Sequence, residues 1–319
     1  MFSKLEAPLF IREAVAQKKP HPLWVELLIF GVVFWVGGIL QSVLLMPFTV
    51  VAMLGRMDEI LALTESGSPE ALVAFVTEMQ KTPLLVIGSL LATVGMIVTV
   101  ILYCRLLEKR SVASLGMRRP FVREYALGAF WGVVLFGGYV AFSMALGNLT
   151  FLGISEKCNV PMLLLLLICF LIQGFSEEIL CRGYFMTSLC RTMPLPWALV
   201  LSSLFFSLFH VGTPGVDVLG LINIFLFGIL MGLYMIRRGD IWGAAALHAL
   251  WNFAEGCLAD FSVSGLSMPS SLLAFGKEGA SVFVAGGAFG PESGFAVTFV
   301  TTLGIVILLM MKNKDVKKD

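Results

Sequence analysis

Eight apolar runs, near 24–53, 83–104, 124–147, 160–181, 195–211, 217–236, 241–258 and 293–311, are separated by short polar segments. A helix needs about 18–25 predominantly apolar residues to cross a hydrocarbon core of about 30 Å. The pattern therefore predicts an all-α fold, a polytopic membrane bundle of about eight transmembrane helices. The first run lacks a small-residue cleavage site and follows about twenty polar and amphipathic residues, so it reads as an uncleaved span rather than a signal peptide. The fourth run is expected to stay helical through Phe185 to Thr192 and to stop before Pro194 and Pro196, since proline ends a helix at about the preceding residue.

Composition removes the soluble alternatives. Hydrophobic residues make up 58% of the chain and charged residues 13%, with a mean hydropathy of +0.92; soluble domains run at about 45–50% and 25%. The net charge is +1, and no basic stretch suited to tracking nucleic acid appears. The bilayer is the partner that composition demands. Six cysteines without a CxxC spacing give neither a disulfide framework nor a zinc ribbon.

Charge distribution predicts orientation. With both termini on one side, that side holds eighteen of the twenty-two Lys and Arg residues, including the 105–123 cluster and Arg237–Arg238. The other side keeps Arg56, Lys81, Lys157 and Lys277, and its 54–82 segment carries Asp58, Glu59, Glu65, Glu70 and Glu78. The positive-inside rule then places both termini in the cytoplasm, in the plasma membrane if the host is bacterial. The outer segments 54–82 and 259–292 are partly apolar and are expected to rest on the membrane surface. Three regions follow: 1–159 with helices one to three, a core at 160–258 with helices four to seven, and 259–319 with an outer loop, helix eight and a basic tail.

The few titratable groups inside apolar segments are the candidate chemistry, because charge in hydrocarbon is costly unless it is paired or faces a water-filled cavity. Glu177, Glu178 and Arg182 lie on the fourth run, His210 ends the fifth, and His248 and Asn252 lie on the seventh. Neighbouring residues on a helix project about 100° apart, so the two carboxylates diverge, whereas Glu178 and Arg182 at i and i+4 share a face, as do His248 and Asn252. Bland readings exist for single residues: Arg182 snorkelling, His210 at a helix C-terminus, and interhelical hydrogen bonds from His248 or Asn252. Glu255 reads as an outward-facing or interfacial charge. On a straight fifth helix His210 falls nearer the outer leaflet than Glu177, so that helix has to be tilted, short or offset for the two to meet.

A carboxylate, two imidazoles and a carboxamide supply what amide hydrolysis needs: a base for water, a donor for the leaving amine, and donors for the developing oxyanion. G-x-S-x-G and H-E-x-x-H are absent. Glu177, His210 and His248 also form a possible Zn²⁺ ligand set, which spacing leaves open.

Glu177-Glu178-x-x-x-Arg182, Phe206-x-x-x-His210 and His248-x-x-x-Asn252, in this order on successive apolar segments, resemble the three motifs of the CAAX-protease and bacteriocin-processing (CPBP, or ABI) family of intramembrane endopeptidases. Arg182-Gly183-Tyr184 and Phe227-Gly228 through Trp242 add to the resemblance, which spans about 160–256. It implies that Glu177 is the general base with His210 helping to hold the water, that Glu178 pairs with Arg182, and that His248 and Asn252 line the oxyanion site. It implies a membrane-bound peptide or protein substrate, either a prenylated CAAX-type protein or a bacteriocin or leader-type peptide. A metal-free glutamate mechanism is favoured over zinc. A non-catalytic scaffold or bacteriocin-immunity protein is the alternative from the same family, and a proton-coupled transporter is the alternative from the charges alone. Gly228-x-x-x-Gly232 reads as a close-packing face, and the acceptor pattern Asn148-Leu149-Thr150 is discounted because it abuts a helix end.

Overall fold

The computed structural model describes residues 5–16, 21–118 and 121–313. Lys4, Lys18, Lys19, Arg119, Lys314, Lys317 and Lys318, with most of the basic tail, lie outside the described residues.

Fourteen helices are described: α1 (Leu9–Ala16), α2 (Leu23–Leu54), α3 (Met57–Ser66), α4 (Pro69–Gln80), α5 (Pro83–Ala92), α6 (Val94–Leu102), α7 (Val122–Ala145), α8 (Val160–Glu178), α9 (Thr187–Leu189), α10 (Leu195–Leu208), α11 (Val218–Arg238), α12 (Trp242–Phe253), α13 (Val282–Ala285) and α14 (Phe295–Met310). The only named strands among the described residues, β1 (Thr150–Ile154) and β2 (Leu273–Gly276), form a small antiparallel pair. The protein is an all-α polytopic membrane bundle. Each predicted run is helical, but five stretches are long and apolar enough to cross a bilayer: Leu23–Leu54, Pro83–Leu107, Val122–Ala145, Val160–Leu189 and Val218–Arg238. The other three are shorter. At about 1.5 Å per residue, the 14 residues of α10 span about 21 Å, well short of the hydrocarbon thickness.

Local chemistry explains that shortness. Pro196 stands in the first turn of α10, and beyond its C-terminus Gly212 and Gly215 take positive φ angles of 89° and 83°, a conformation that glycine adopts without a Cβ penalty. The short α10 removes the depth conflict between His210 and Glu177. At the start of α8, the Asn159 side chain accepts from Met162 N at 3.0 Å. Beyond Glu178 the helix changes to π geometry over Ile179–Met186 and ends at Leu189, where an α-helix through Thr192 was expected. Single π turns widen a helix locally and often stand at functional sites.

Helix α12, which carries His248 and Asn252, is seated by small residues. An ideal Cβ at Gly128 or Gly132 of α7 would lie 2.0 Å from Gly243 O or 2.4 Å from Leu247 O, and one at Gly174 of α8 would lie 2.8 Å from Ala249 N. These helices therefore meet backbone to backbone, as small-residue interfaces allow in membranes. The atoms in the way are backbone and have little room to yield. Gly132→Ala should lower stability by about 1–3 kcal/mol, read as an earlier thermal unfolding transition in detergent. Gly228 and Gly232 pack as their spacing suggests: a Cβ at the first would meet Arg182 Nη2 and Ser203, and at the second Leu199.

At the end of the bundle that holds the 108–121 connection, buried ions tie the first helices to the long fourth span. Arg110 pairs with Glu108 at 3.0 Å, and Arg191 pairs with Glu108 at 2.9 Å and with Glu26 at 3.2 Å. At the opposite end, 259–292 does not simply rest on the surface. β2 pairs with β1, Gly265 N donates to Phe289 O at 2.6 Å, and Phe261 and Phe289 are buried, which pulls the segment into the bundle. Asn148 is likewise tucked in, its Oδ1 accepting from Ser281 N at 2.7 Å.

Candidate active site

Helix α8 presents Glu178 to the interior, fully buried beside Arg182 at 3.1 Å. The same Oε1 accepts from His248 Nδ1 at 2.8 Å. A carboxylate only accepts, so Nδ1 carries a proton and Nε2 is turned elsewhere. It faces Glu177 Oε2 at 3.6 Å. The two neighbouring glutamates, divergent on their own helix, thus flank one imidazole from α12 through its two nitrogens.

Aromatic rings hold this arrangement. Phe206 and Phe227 stand edge-on to His248, with centroids at 6.0 and 5.1 Å. The Arg182 guanidinium lies over the Phe206 ring at 4.3 Å, a cation–π contact that substitutes for part of its lost hydration. His210 sits just past α10 with Nδ1 bonded to Phe206 O at 2.9 Å; a carbonyl only accepts, so in the neutral ring Nε2 is free as an acceptor.

Gln173 is a member of the site that the motifs did not reveal. Its Nε2 donates to Glu177 Oε1 at 2.7 Å, and its Oε1 accepts from Asn252 Nδ2 at 3.1 Å. One signal was available: it is a polar residue four positions before Glu177, on the same helix face, inside an apolar run. Glu292 is the second addition. Its carboxylate accepts from Ser264 N at 2.6 Å and from Ser264 Oγ at 3.0 Å, and burial raises its carboxyl above the usual range against the opposing pull of His210 and of the Ser264 backbone. Nothing local in the sequence marks it.

Glu255 corrects an expectation. It is buried rather than outward-facing, with Oε2 accepting from Trp251 Nε1 at 3.2 Å, because the 259–292 segment folds over it and brings Gly290 alongside.

A cavity of about 250 Å³ collects these groups: Glu177, His210, His248, Asn252, Gln173 and Glu292 all line it. Glu178 and Arg182 stand behind that wall. For a metal the fit is poor: Glu177, His210 and His248 share the cavity, yet among the described residues no group of three or more His, Cys, Asp or Glu side chains is arranged to hold an ion. A carboxylate facing an imidazole across a gap, with amide donors on the same wall, is suited to moving a proton to and from a bound water.

Residues 159–254 match the family model described as Type II CAAX prenyl endopeptidase Rce1-like. That segment, α8 to α12, is similar to the domain of this endopeptidase family, in agreement with the resemblance read from the three motifs. Neither a curated protein nor a solved structure matches the chain.

Proposed function

We propose that the protein is an endopeptidase that cuts a peptide bond of a membrane-associated substrate with water activated by Glu177. The observation that carries this reading is the 3.6 Å separation between Glu177 Oε2 and His248 Nε2, in a cavity that His210 and Asn252 also line. Such a gap exceeds a direct hydrogen bond and suits a bridging water. Glu177 takes a proton from the water as the oxygen attacks the scissile carbonyl, and returns it to the leaving amine as the tetrahedral intermediate collapses. His210 Nε2 accepts the water's second proton in a hydrogen bond.

His248 and Asn252 are assigned to the oxyanion. The Nδ1 proton of His248 is held by Glu178, which turns Nε2 toward the cavity, where the protonated form of the ring donates Nε2–H. Of the two Asn252 Nδ2 protons one goes to Gln173, and the other is available to substrate. Glu178 and Arg182 balance each other's charge and set the imidazole. The candidate substrates are a prenylated CAAX-type protein and a bacteriocin or leader-type peptide.

The mechanism needs no metal. Exhaustive chelation of the purified protein is expected to leave cleavage nearly intact, because a carboxylate supplies the base and side-chain donors hold the oxyanion. Stoichiometric zinc whose removal abolishes activity and whose return restores it would reverse this choice. The defining experiment is incubation of the detergent-purified protein with a peptide library, with product ends read by mass spectrometry; no cleavage by a folded preparation would favour the scaffold reading.

A further inference from the structure

The two ends of the bundle are unequal in how they serve the cavity. One end is formed by the 54–82, 146–159, 209–217 and 259–294 connections, the other by 108–121, 190–194 and 239–241. Ser264, Leu266 and Glu292 belong to a connection of the first end, and His210 lies just past the terminus of α10 there. Asn223 is within two turns of the start of α11 at that end, and donates to Glu292 O at 2.7 Å and to Gly294 O at 2.9 Å. Among the described residues, no wall residue comes from a connection of the second end.

The second end is closed beneath the catalytic groups. Glu178, Arg182 and Phe206 form a buried layer. Beyond it, a Cβ at Gly183 would come within 3.1 Å of both Leu115 O and the Ile241 side chain, and the Arg110, Glu108, Arg191 and Glu26 ions fill the space further out. Side chains packed at this density leave no path for a peptide. Of the fifteen described Lys and Arg residues, eleven lie toward this closed end, Arg182 among them although it is buried, whereas the open end has four and a run of carboxylates in 54–82. Positive charge is retained on the cytoplasmic side.

We infer that the cavity is loaded from the extracytoplasmic side and that its substrate is a peptide segment exposed on that face, exported or held in the outer leaflet. This rests on the endopeptidase reading for what happens to the segment, but not for the direction of entry. An adjoining apolar chamber of about 500 Å³ points the same way. It lies between α2, α4 and α5, with Phe75, Val76 and Met79 from α4, and shares Ser89 and Leu266 with the catalytic cavity. Helix α4 belongs to the open end, so an apolar side chain beside the scissile bond has a place to lodge that is reached from the same face. A prenylated C-terminus displayed in the cytoplasm meets the closed end instead.

The test reads entry separately from catalysis. In a background with Cys158 and Cys190 changed to Ser, the full chain carries one probe at a time: Leu266→Cys or, as a second cavity position, Ser264→Cys. Glu278→Cys and Ser111→Cys report the two faces. A membrane-impermeant thiol reagent is applied to spheroplasts and to inverted vesicles. Both cavity probes and Glu278→Cys should react at least tenfold faster in spheroplasts, and Ser111→Cys in inverted vesicles. Cavity labelling from the cytoplasmic face, or from neither face until detergent is added, overturns the inference, as does reversal of the Glu278 and Ser111 pattern. A dye-tagged impermeant peptide that the purified enzyme cuts should be cleaved by spheroplasts and spared by inverted vesicles. If the purified protein cuts nothing, the endopeptidase reading fails while the labelling result still decides the side of entry.

Discussion

Glu177→Gln is expected to lower peptide cleavage by about 10²–10⁴-fold, the usual size of a general-base contribution, in a protein that still folds and inserts. The substitution preserves volume and an acceptor oxygen, so the hydrogen bond from Gln173 Nε2, now 2.7 Å, has a partner in the variant. It removes the only feature that the glutamine lacks, a lone pair basic enough to take a proton from water. The Glu177 side chain is 30% exposed to the cavity and faces His248 Nε2 at 3.6 Å without a direct hydrogen bond, so losing its charge costs less than breaking a fully buried, hydrogen-bonded pair. Single-turnover cleavage and the unfolding temperature should therefore separate, the first collapsing and the second holding. A well-folded variant with the full wild-type rate would place the base elsewhere and remove the main support for the mechanism.

Much of the fold was legible because the bilayer imposes length and polarity rules on each span independently. The i, i+4 relation of Glu178 and Arg182 was readable for the same kind of reason, since one helix determines it, and the ion pair is present at 3.1 Å. The shared face of His248 and Asn252 was readable too, but their partners were not. They turn to Glu178 and to Gln173, which lie on another helix, and the seating of α12 against α7 and α8 is governed by Gly128 and Gly132 on the first and Gly174 on the second, whose meaning depends on what stands opposite them. The convergence of Glu177 and Glu178 on one imidazole is illegible from α8 alone, where they diverge. The π segment after Glu178 has no periodic signature. Glu255 and Glu292 were misread or missed because a loop without regular spacing decides their surroundings. Breakers around α10 were visible, and the short helix they bound is what lets His210 reach the cavity.

Glu178→Gln should behave differently from its neighbour, costing about 3–5 kcal/mol of stability together with activity. Breaking a buried ion pair by removing one partner leaves the other charge uncompensated. Here that charge is Arg182, fully buried, whose Nε and Nη2 have no hydrogen-bond partner among the described residues and whose guanidinium lies over the Phe206 ring. The change also reaches His248. The introduced carboxamide oxygen can still accept from Nδ1, but a charge-assisted hydrogen bond is replaced by a weaker neutral one, and the ring is held less firmly with Nε2 toward the oxyanion. Stability and chemistry can then be pulled apart with a second substitution. In Glu178→Gln/Arg182→Met both charges are gone, and apolar replacement of a buried pair is often neutral or stabilising, so the unfolding temperature should recover most of its loss. Turnover should not recover, because the carboxylate that accepts from His248 Nδ1 and orients the ring is still missing. Thermal unfolding in detergent and kcat on the same preparations provide both readouts. Recovery of kcat alongside stability would reduce Glu178 to a partner for Arg182 and leave His248 with no need of a carboxylate behind it.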